Sequence, residues 1–164
     1  MTDNPPNVER ALADLDRLLG WVRAAESRLA LVLSLSTAML GVLAALAPTA
    51  SHWTVGAAVS AAFAAFFLLL SIAFAAFASF PRTTGPKGSL VYFGGISARD
   101  LPQYQEAIKS RTPEADLADL LGQCHRNAQI AERKYSWIQR SMACLFIAAL
   151  PWAVSLFLLY SVEH

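Results

Sequence analysis

The side chains best suited to ligand chemistry lie in one polar stretch, 82–99, between two long apolar blocks. Basic side chains bind phosphate through charge-assisted hydrogen bonds, and aromatic rings stack on nucleobases. Both types occur close together here, which indicates a phosphate- and base-binding site. Basic residues beside a membrane also contact lipid headgroups, so that alternative stays open. The candidate residues are Arg82, Lys87, Tyr92, Phe93 and Arg99.

Sequence motifs of the common enzyme classes are missing from the chain. It contains no phosphate-binding GxxxxGK[ST] loop, no GxSxG and no HExxH. Cys124 and His125 are adjacent in a predicted helix, so they point to different faces and make a poor pair of metal ligands. We therefore predict a protein that is not an enzyme and that has no metal site and no cofactor. Its net charge of +1 gives no reason to expect a nucleic-acid polymer as a partner.

Charged residues are distributed very unevenly. The 53 residues between Arg28 and Arg82, and the 22 between Arg140 and Glu163, contain no Asp, Glu, Lys or Arg. A soluble domain of this size cannot bury so many apolar residues, whereas one membrane-spanning helix needs roughly 20 of them. The chain is therefore predicted to be an integral membrane protein. The predicted spans are 29–46, 53–80 and 137–160.

Basic residues flank the predicted spans on one side only. All 13 Lys and Arg lie within 1–28 or 82–140. By the positive-inside rule these segments face the cytosol. We predict a multi-pass protein of the cell inner membrane, with a cytosolic N-terminus, a cytosolic 82–136 segment and a C-terminus outside. The predicted domains are a cytosolic amphipathic helix (1–28), a transmembrane hairpin (29–80), a cytosolic sensing and stalk segment (81–136) and a third span (137–161).

Apolar spacing predicts two further packing surfaces outside the membrane. Before the first and third spans, apolar residues recur at intervals that alternate between 4 and 3, which is typical of helices that pack along a seam. We predict that these seams form a helical stalk and assemble the protein into a homo-oligomer. The seam positions are Leu12, Leu15, Leu19 and Glu26 on the first helix, and Leu117, Leu121, Ala128 and Tyr135 on the last.

The segment between the second and third spans is predicted to be mixed in structure. Residues 89–93 are rich in β-formers, Gly94-Gly95 predicts a turn, and 101–109 predicts a short helix. Thr112 followed by proline is typical of the start of a helix. The predicted fold is therefore an all-α integral membrane protein with three transmembrane helices, a cytosolic helical stalk and a small β-containing insert.

Three stretches of the chain share their order and character with one known family. They are 21–28, which enters the first span, 90–96 followed by Tyr104, and the set Gln123, Asn127, Ile130, Lys134 and Tyr135. From about Leu15 to Trp152 the chain resembles the small transmembrane effector of bacterial Pycsar anti-phage defence. The family usually shows Ala-Asp-x-Lys in the first stretch and an acid where Gly95 stands, so Glu26, Arg28 and Gly95 depart from its pattern.

The resemblance implies a partner and a mechanism. In Pycsar systems a separate cyclase, activated by phage infection, makes cyclic UMP or cyclic CMP. The effector then impairs the inner membrane and stops growth before phage release. By resemblance, this chain senses the cyclic pyrimidine nucleotide in its cytosolic segment and acts on the lipid bilayer through spans that assemble or open.

One helical face in the third stretch has suitable chemistry for that ligand. Gln123, Asn127 and Lys134 share a face because they are 4 and 7 residues apart. Their amide and ammonium groups could bind a cyclic phosphate and a pyrimidine edge, so we add them to the candidate ligand-binding residues. The same face could instead hold the 92–95 loop in place.

Two other functional classes fit the sequence. The protein could be a structural or adaptor membrane protein whose seams recruit a partner. It could also be a small channel or exporter subunit, although spans without charged residues argue against ion selectivity.

Overall fold

A computed structural model of the chain describes residues 6–47, 53–80, 85–86 and 88–163. Within those ranges all regular structure is helical. Three of the helices, α1, α2 and α5, are long and apolar enough to cross a membrane, which confirms the prediction of three spans. The helices are α1 (Pro6–Ala45), α2 (Val55–Ser79), α3 (Phe93–Ser97), α4 (Leu101–Lys109) and α5 (Pro113–Glu163).

Side-chain caps fix where three of these helices begin. The Thr54 hydroxyl accepts a hydrogen bond from the amide of Ala57 at 3.3 Å, which satisfies a free donor at the start of α2. Asp100 forms a capping box at the start of α4, which confirms the short helix predicted over 101–109. The Thr112 hydroxyl accepts a hydrogen bond from the amide of Ala115 at 3.3 Å and so caps the start of α5, as its position before a proline predicts.

The predicted β-containing insert is wrong. In the described part of the chain no strand is present, and the run 89–93 forms a tight bend that leads into α3. Its backbone donors are bound by side chains: the amide of Leu90 donates to Asp119, and those of Val91 and Tyr92 donate to the Ser89 hydroxyl. Groups used in this way cannot form a strand ladder. The predicted turn at Gly94-Gly95 lies inside α3 instead.

The chain divides into two compact units. The described residues of 1–24 and 81–133 form one, which we call the charged unit because it holds most of the charged side chains. The described residues of 25–80 and 134–164 form the other, which we call the apolar unit. Helices α1 and α5 contribute residues to both units, whereas α2 belongs to the apolar unit alone.

Buried and half-buried positions recur along α1 and α5 at intervals that alternate between 3 and 4, as in coiled coils. Of the eight seam positions that the sequence predicts, Leu15 and Leu117 are among these packed positions. On α1 the recurring positions include Val8, Ala11, Leu15, Leu18, Val22, Ala25 and Leu29. On α5 they include Leu117, Leu120, Cys124, Asn127, Ala131, Lys134 and Ile138.

Beside each of the other six predicted seam positions, the residue one place earlier is buried or half-buried within the chain. Two of the six, Leu19 and Tyr135, are themselves half-buried, and Tyr135 packs against the core of the apolar unit. At three of these positions the buried residue is small, as with Ala11 and Ala25, which let helix backbones approach closely, or polar with a partner, as with Lys134. Interfaces between copies through the predicted positions stay a prediction. The pairs of predicted and packed residues are Leu12 and Ala11, Leu19 and Leu18, Glu26 and Ala25, Leu121 and Leu120, Ala128 and Asn127, and Tyr135 and Lys134.

Two adjacent leucines test this register. Leu120 is 4% exposed and packs with Val8 and Ala11, whereas Leu121 is 53% exposed. We expect Leu120→Ala to lower the free energy of unfolding by about 2–4 kcal/mol, because it leaves a cavity. Leu121→Ala should cost less than about 0.5 kcal/mol, as at other exposed positions. Denaturation of the purified protein in detergent measures both, and equal losses would contradict the register.

Candidate ligand-binding cleft

A cleft of about 500 Å³ opens in the charged unit. Its volume lies within the range of small-molecule sites. Two of the residues that the sequence singles out, Tyr92 and Arg99, contribute to its walls, and the rest of the lining is small or backbone. The lining residues are Gly85, Pro86, Gly88, Tyr92, Gly94, Gly95, Ala98 and Arg99.

Glycines let the backbone of the cleft fold closely on itself. Gly88 has a positive φ of 78°, a conformation that other residues rarely adopt. A Cβ atom at Gly95 would overlap the carbonyl oxygen of Ser89, and one at Gly94 would overlap the ring of Tyr92. The backbone therefore forms much of the wall around the aromatic ring, and larger residues would displace it.

Arg99 holds the loop around the cleft. Its guanidinium donates to the carbonyl of Gly88 at 2.9 Å, to that of Ser89 at 3.3 Å and to that of Gly95. One side chain thus ties together both ends of the segment 88–95. The same contacts place a permanent positive charge in the wall of the cleft.

The Ser89 hydroxyl fixes this loop to α5. It is almost fully buried and accepts hydrogen bonds from the amides of Val91 and Tyr92 at 3.1 and 2.9 Å. It also accepts one from the side-chain amide of Gln123 at 3.0 Å. Gln123, which the sequence suggested either as a ligand contact or as a support for the loop, is used here as a support.

A comparison with known protein families gives one match that covers nearly the whole chain. The family model of the Pycsar effector protein domain, PycTM, matches residues 10–161. The chain belongs to this family. It is accordingly a multi-pass membrane protein and a Pycsar effector of antiviral defence. No curated protein and no solved structure matches the chain.

In this Pycsar effector, a buried carboxylate that sequence reasoning missed binds the backbone of the loop that forms the cleft. Asp119 has a side chain that is 8% exposed, and it accepts from the amide of Leu90 at 2.8 Å and from Arg111 at 2.5 Å. Burial raises the pKa of Asp119, but hydrogen bonds from Ser89, Leu90 and Arg111 outweigh it and bring the pKa below its usual value. An acid on a charged helix carries no sequence signal of such burial.

The remaining candidates lie elsewhere. Phe93 is exposed; its ring centroid lies 4.5 Å from that of Tyr92, and the residue does not line the cleft. The side chain of Asn127 donates to the backbone carbonyl of Gln123 on its own helix at 2.9 Å. Arg82 and Lys87 lie outside the described residues. Among the residues that are described, no group of three His, Cys, Asp or Glu side chains is placed to hold a metal ion.

Lys134 belongs to the apolar unit, where it forms an ion pair. Its ammonium lies 2.6 Å from a carboxylate oxygen of Glu26, and its side chain is 10% exposed, compared with 56% for Glu26. A buried ammonium needs a counterion, because it has lost most of its hydration. Glu26 therefore compensates Lys134 at a packing position of α5.

The lowered pKa of Asp119 predicts a pH dependence of stability. A carboxylate with a lowered folded-state pKa stabilises the fold above its unfolded pKa of about 3.9 and ceases to do so as the pH falls through the folded pKa. We expect Asp119→Asn to lower the free energy of unfolding by about 1–3 kcal/mol at pH 7. This difference from wild type should shrink as the pH falls below about 4. Unfolding curves between pH 7 and pH 3 measure both effects.

A matched control for this experiment is Asp14→Asn, which removes an exposed partner of Arg17. Exposed ion pairs contribute little to stability, so the control should lower the free energy of unfolding by less than about 1 kcal/mol at pH 7. A difference between wild type and Asp119→Asn that stays constant over the whole pH range would contradict the assignment.

A double-variant experiment tests the Glu26–Lys134 pair. Glu26→Gln should cost about 1–2 kcal/mol, because it leaves Lys134 buried without a counterion while the exposure of Glu26 moderates the loss. The double variant Glu26→Gln, Lys134→Met should recover part of that stability. Thermal unfolding in detergent measures the recovery, and a double variant less stable than Glu26→Gln would show that the pair is not coupled in this way.

Proposed function

We propose that this Pycsar effector binds a cyclic pyrimidine mononucleotide, cyclic UMP or cyclic CMP, in the cleft of the charged unit and responds by impairing the inner membrane. A separate cyclase supplies the nucleotide. Membership of the Pycsar effector family supports the ligand class. The observation that carries the choice of site is the cleft itself, with an aromatic ring and a guanidinium in its walls.

The cleft offers each part of such a ligand a matching group. The ring of Tyr92 supplies a stacking surface for a base, a contact that contributes about 1–3 kcal/mol in other proteins. The guanidinium of Arg99 supplies positive charge for a cyclic phosphate. Walls made by Gly85, Gly94 and Gly95 let backbone groups approach a small ligand closely.

Helix α5 offers a route from the ligand to the membrane. The loop at the cleft is bonded to α5 through Asp119 and Gln123, and α5 continues into the apolar unit. We infer that nucleotide binding alters this attachment and thereby the packing of the spans. In the proposed orientation the charged unit faces the cytosol, where the cyclase product accumulates, and the C-terminus lies outside.

The apolar composition of the spans supports impairment of the bilayer rather than selective transport. Residues 29–81 contain no charged side chain that would coordinate an ion along a pathway. No more than a third of the most apolar part of each span is buried within the chain, so the rest is available to lipid or to further copies. We propose a homo-oligomer as the active form, with the exposed Leu12 and Leu121 among its contacts.

Two adjacent aromatics provide the test. We expect the purified full-length protein to bind cyclic UMP or cyclic CMP in calorimetry, and Tyr92→Leu to weaken binding about 5- to 100-fold through loss of stacking. Phe93→Leu is the control, because Phe93 is exposed and lies outside the cleft; it should change affinity less than about twofold. In cells, an active cyclase should collapse the membrane potential with wild type but not with Tyr92→Leu.

Absence of binding to either nucleotide would reject the proposed ligand. Binding that is equally sensitive to both substitutions would reject the cleft as its site. An intact membrane potential while the cyclic nucleotide accumulates would reject the proposed mechanism. Cyclic AMP and cyclic GMP serve as ligands of a different base class in the same calorimetry.

A further inference from the structure

Three fully buried serines meet inside the apolar unit, one from each span. Ser36 lies on α1, Ser71 on α2 and Ser141 on α5, and each has 0% exposure. The hydroxyl oxygens of Ser36 and Ser71 are 3.0 Å apart, and those of Ser71 and Ser141 are also 3.0 Å apart. We call these three residues the serine cluster. It joins all three spans at one level through hydrogen bonds.

The geometry allows every hydroxyl proton of the serine cluster to be used between helices. Ser141 donates to the backbone carbonyl of Ser71 at 2.7 Å, and Ser71 donates to that of Ser141 at 2.9 Å. Ser36 can then donate to the hydroxyl oxygen of Ser71. The reciprocal pair fixes the axial position of α2 against α5, because backbone carbonyls cannot move without their helix.

The packing of α2 gives these hydrogen bonds unusual importance. Its buried positions recur at intervals of 4 and 3, and five of the seven carry alanine, the exceptions being Leu68 and Ser71. An alanine surface permits close approach, but it is nearly uniform along the helix and so favours no single axial position. A buried polar residue at such a position specifies register. The buried positions are Ala57, Ala61, Ala64, Leu68, Ser71, Ala75 and Ala78.

We propose that the serine cluster holds the three spans in their resting arrangement, and that the spans must separate at this cluster for the membrane to be impaired. This inference rests on the proposed function in one respect: membrane impairment, measured as dye release, is taken to be the activity of the protein. Its physical basis is independent of any ligand, because it follows from the hydrogen bonds and the alanine surface. Loss of the cluster should therefore activate the protein without nucleotide.

The first test compares Ser71→Ala with Ser60→Ala. Ser60 also lies on α2, but its hydroxyl donates to the carbonyls of Gly56 and Ala57 on the same helix. We expect Ser71→Ala to lower the Tm in detergent by about 2–6 °C and Ser60→Ala to lower it by less than about 1 °C. In proteoliposomes without nucleotide, Ser71→Ala should raise dye release at least about fivefold over wild type.

A second test does not depend on the stability of Ser71→Ala. With both native cysteines replaced by alanine, Ser36→Cys together with Ser71→Cys places two thiols where the hydroxyls are 3.0 Å apart. Oxidation with copper phenanthroline should join α1 to α2 by a disulfide and suppress dye release, and a reductant should restore it. Because this variant lacks the Ser36 and Ser71 hydroxyls, we expect its reduced form to release dye without nucleotide. Cyclic UMP or cyclic CMP is then added to the cross-linked form, which should still release little dye.

Three results would overturn the proposal: equal Tm values for Ser71→Ala and Ser60→Ala, no increase in nucleotide-free release with Ser71→Ala, or unchanged release after complete cross-linking. A wild type that releases no dye with either nucleotide would instead reject the proposed function. In that case the Tm comparison and the nucleotide-free release still decide the role of the serine cluster.

Discussion

Polar side chains at packing positions must find partners inside the protein, and this constraint governs both units. In the apolar unit Lys134 is paired with Glu26, and Ser141 exchanges hydrogen bonds with Ser71. In the charged unit the side chains of Ser89 and Asp119 accept hydrogen bonds from backbone amides of the segment 90–92, which has no regular structure of its own. Each polar group is stable where it is because its partner is present, so these contacts specify the arrangement more strictly than apolar packing does.

The cleft depends on this constraint indirectly, through the hydrogen bonds that hold its loop in place. Tyr92 and Arg99 contribute to its walls, but neither would be held there by apolar burial. The amide of Tyr92 is bound by Ser89, and Arg99 is bound by loop carbonyls. Ser89 is in turn bound by Gln123 on α5. Tyr92, one of the groups proposed to contact the nucleotide, is therefore positioned by residues that do not line the cleft.

Sequence reasoning found the spans, the cap of α5 and part of the cleft, because each leaves a local signal. Charge-free runs mark the spans, Thr112 before a proline marks the start of α5, and the aromatic Tyr92 stands out in a polar loop. It failed where tertiary partners override local preference. Two adjacent leucines do not reveal from sequence that Leu120 packs inside the chain while Leu121 is exposed. The run 89–93 has the composition of a strand, but Asp119 and Ser89 bind its backbone amides.

The alanine surface of α2 has a consequence for which changes this protein tolerates. Most buried positions in soluble cores are harmed by loss of volume, whereas at Ala64, Ala75 and Ala78, each with at most 1% exposure, harm comes from gain of volume. A single added methyl group at these sites forces neighbouring helices apart. The substitutions expected to disturb the packing of the spans most are therefore small enlargements of the alanine side chains on α2, which look conservative in the sequence.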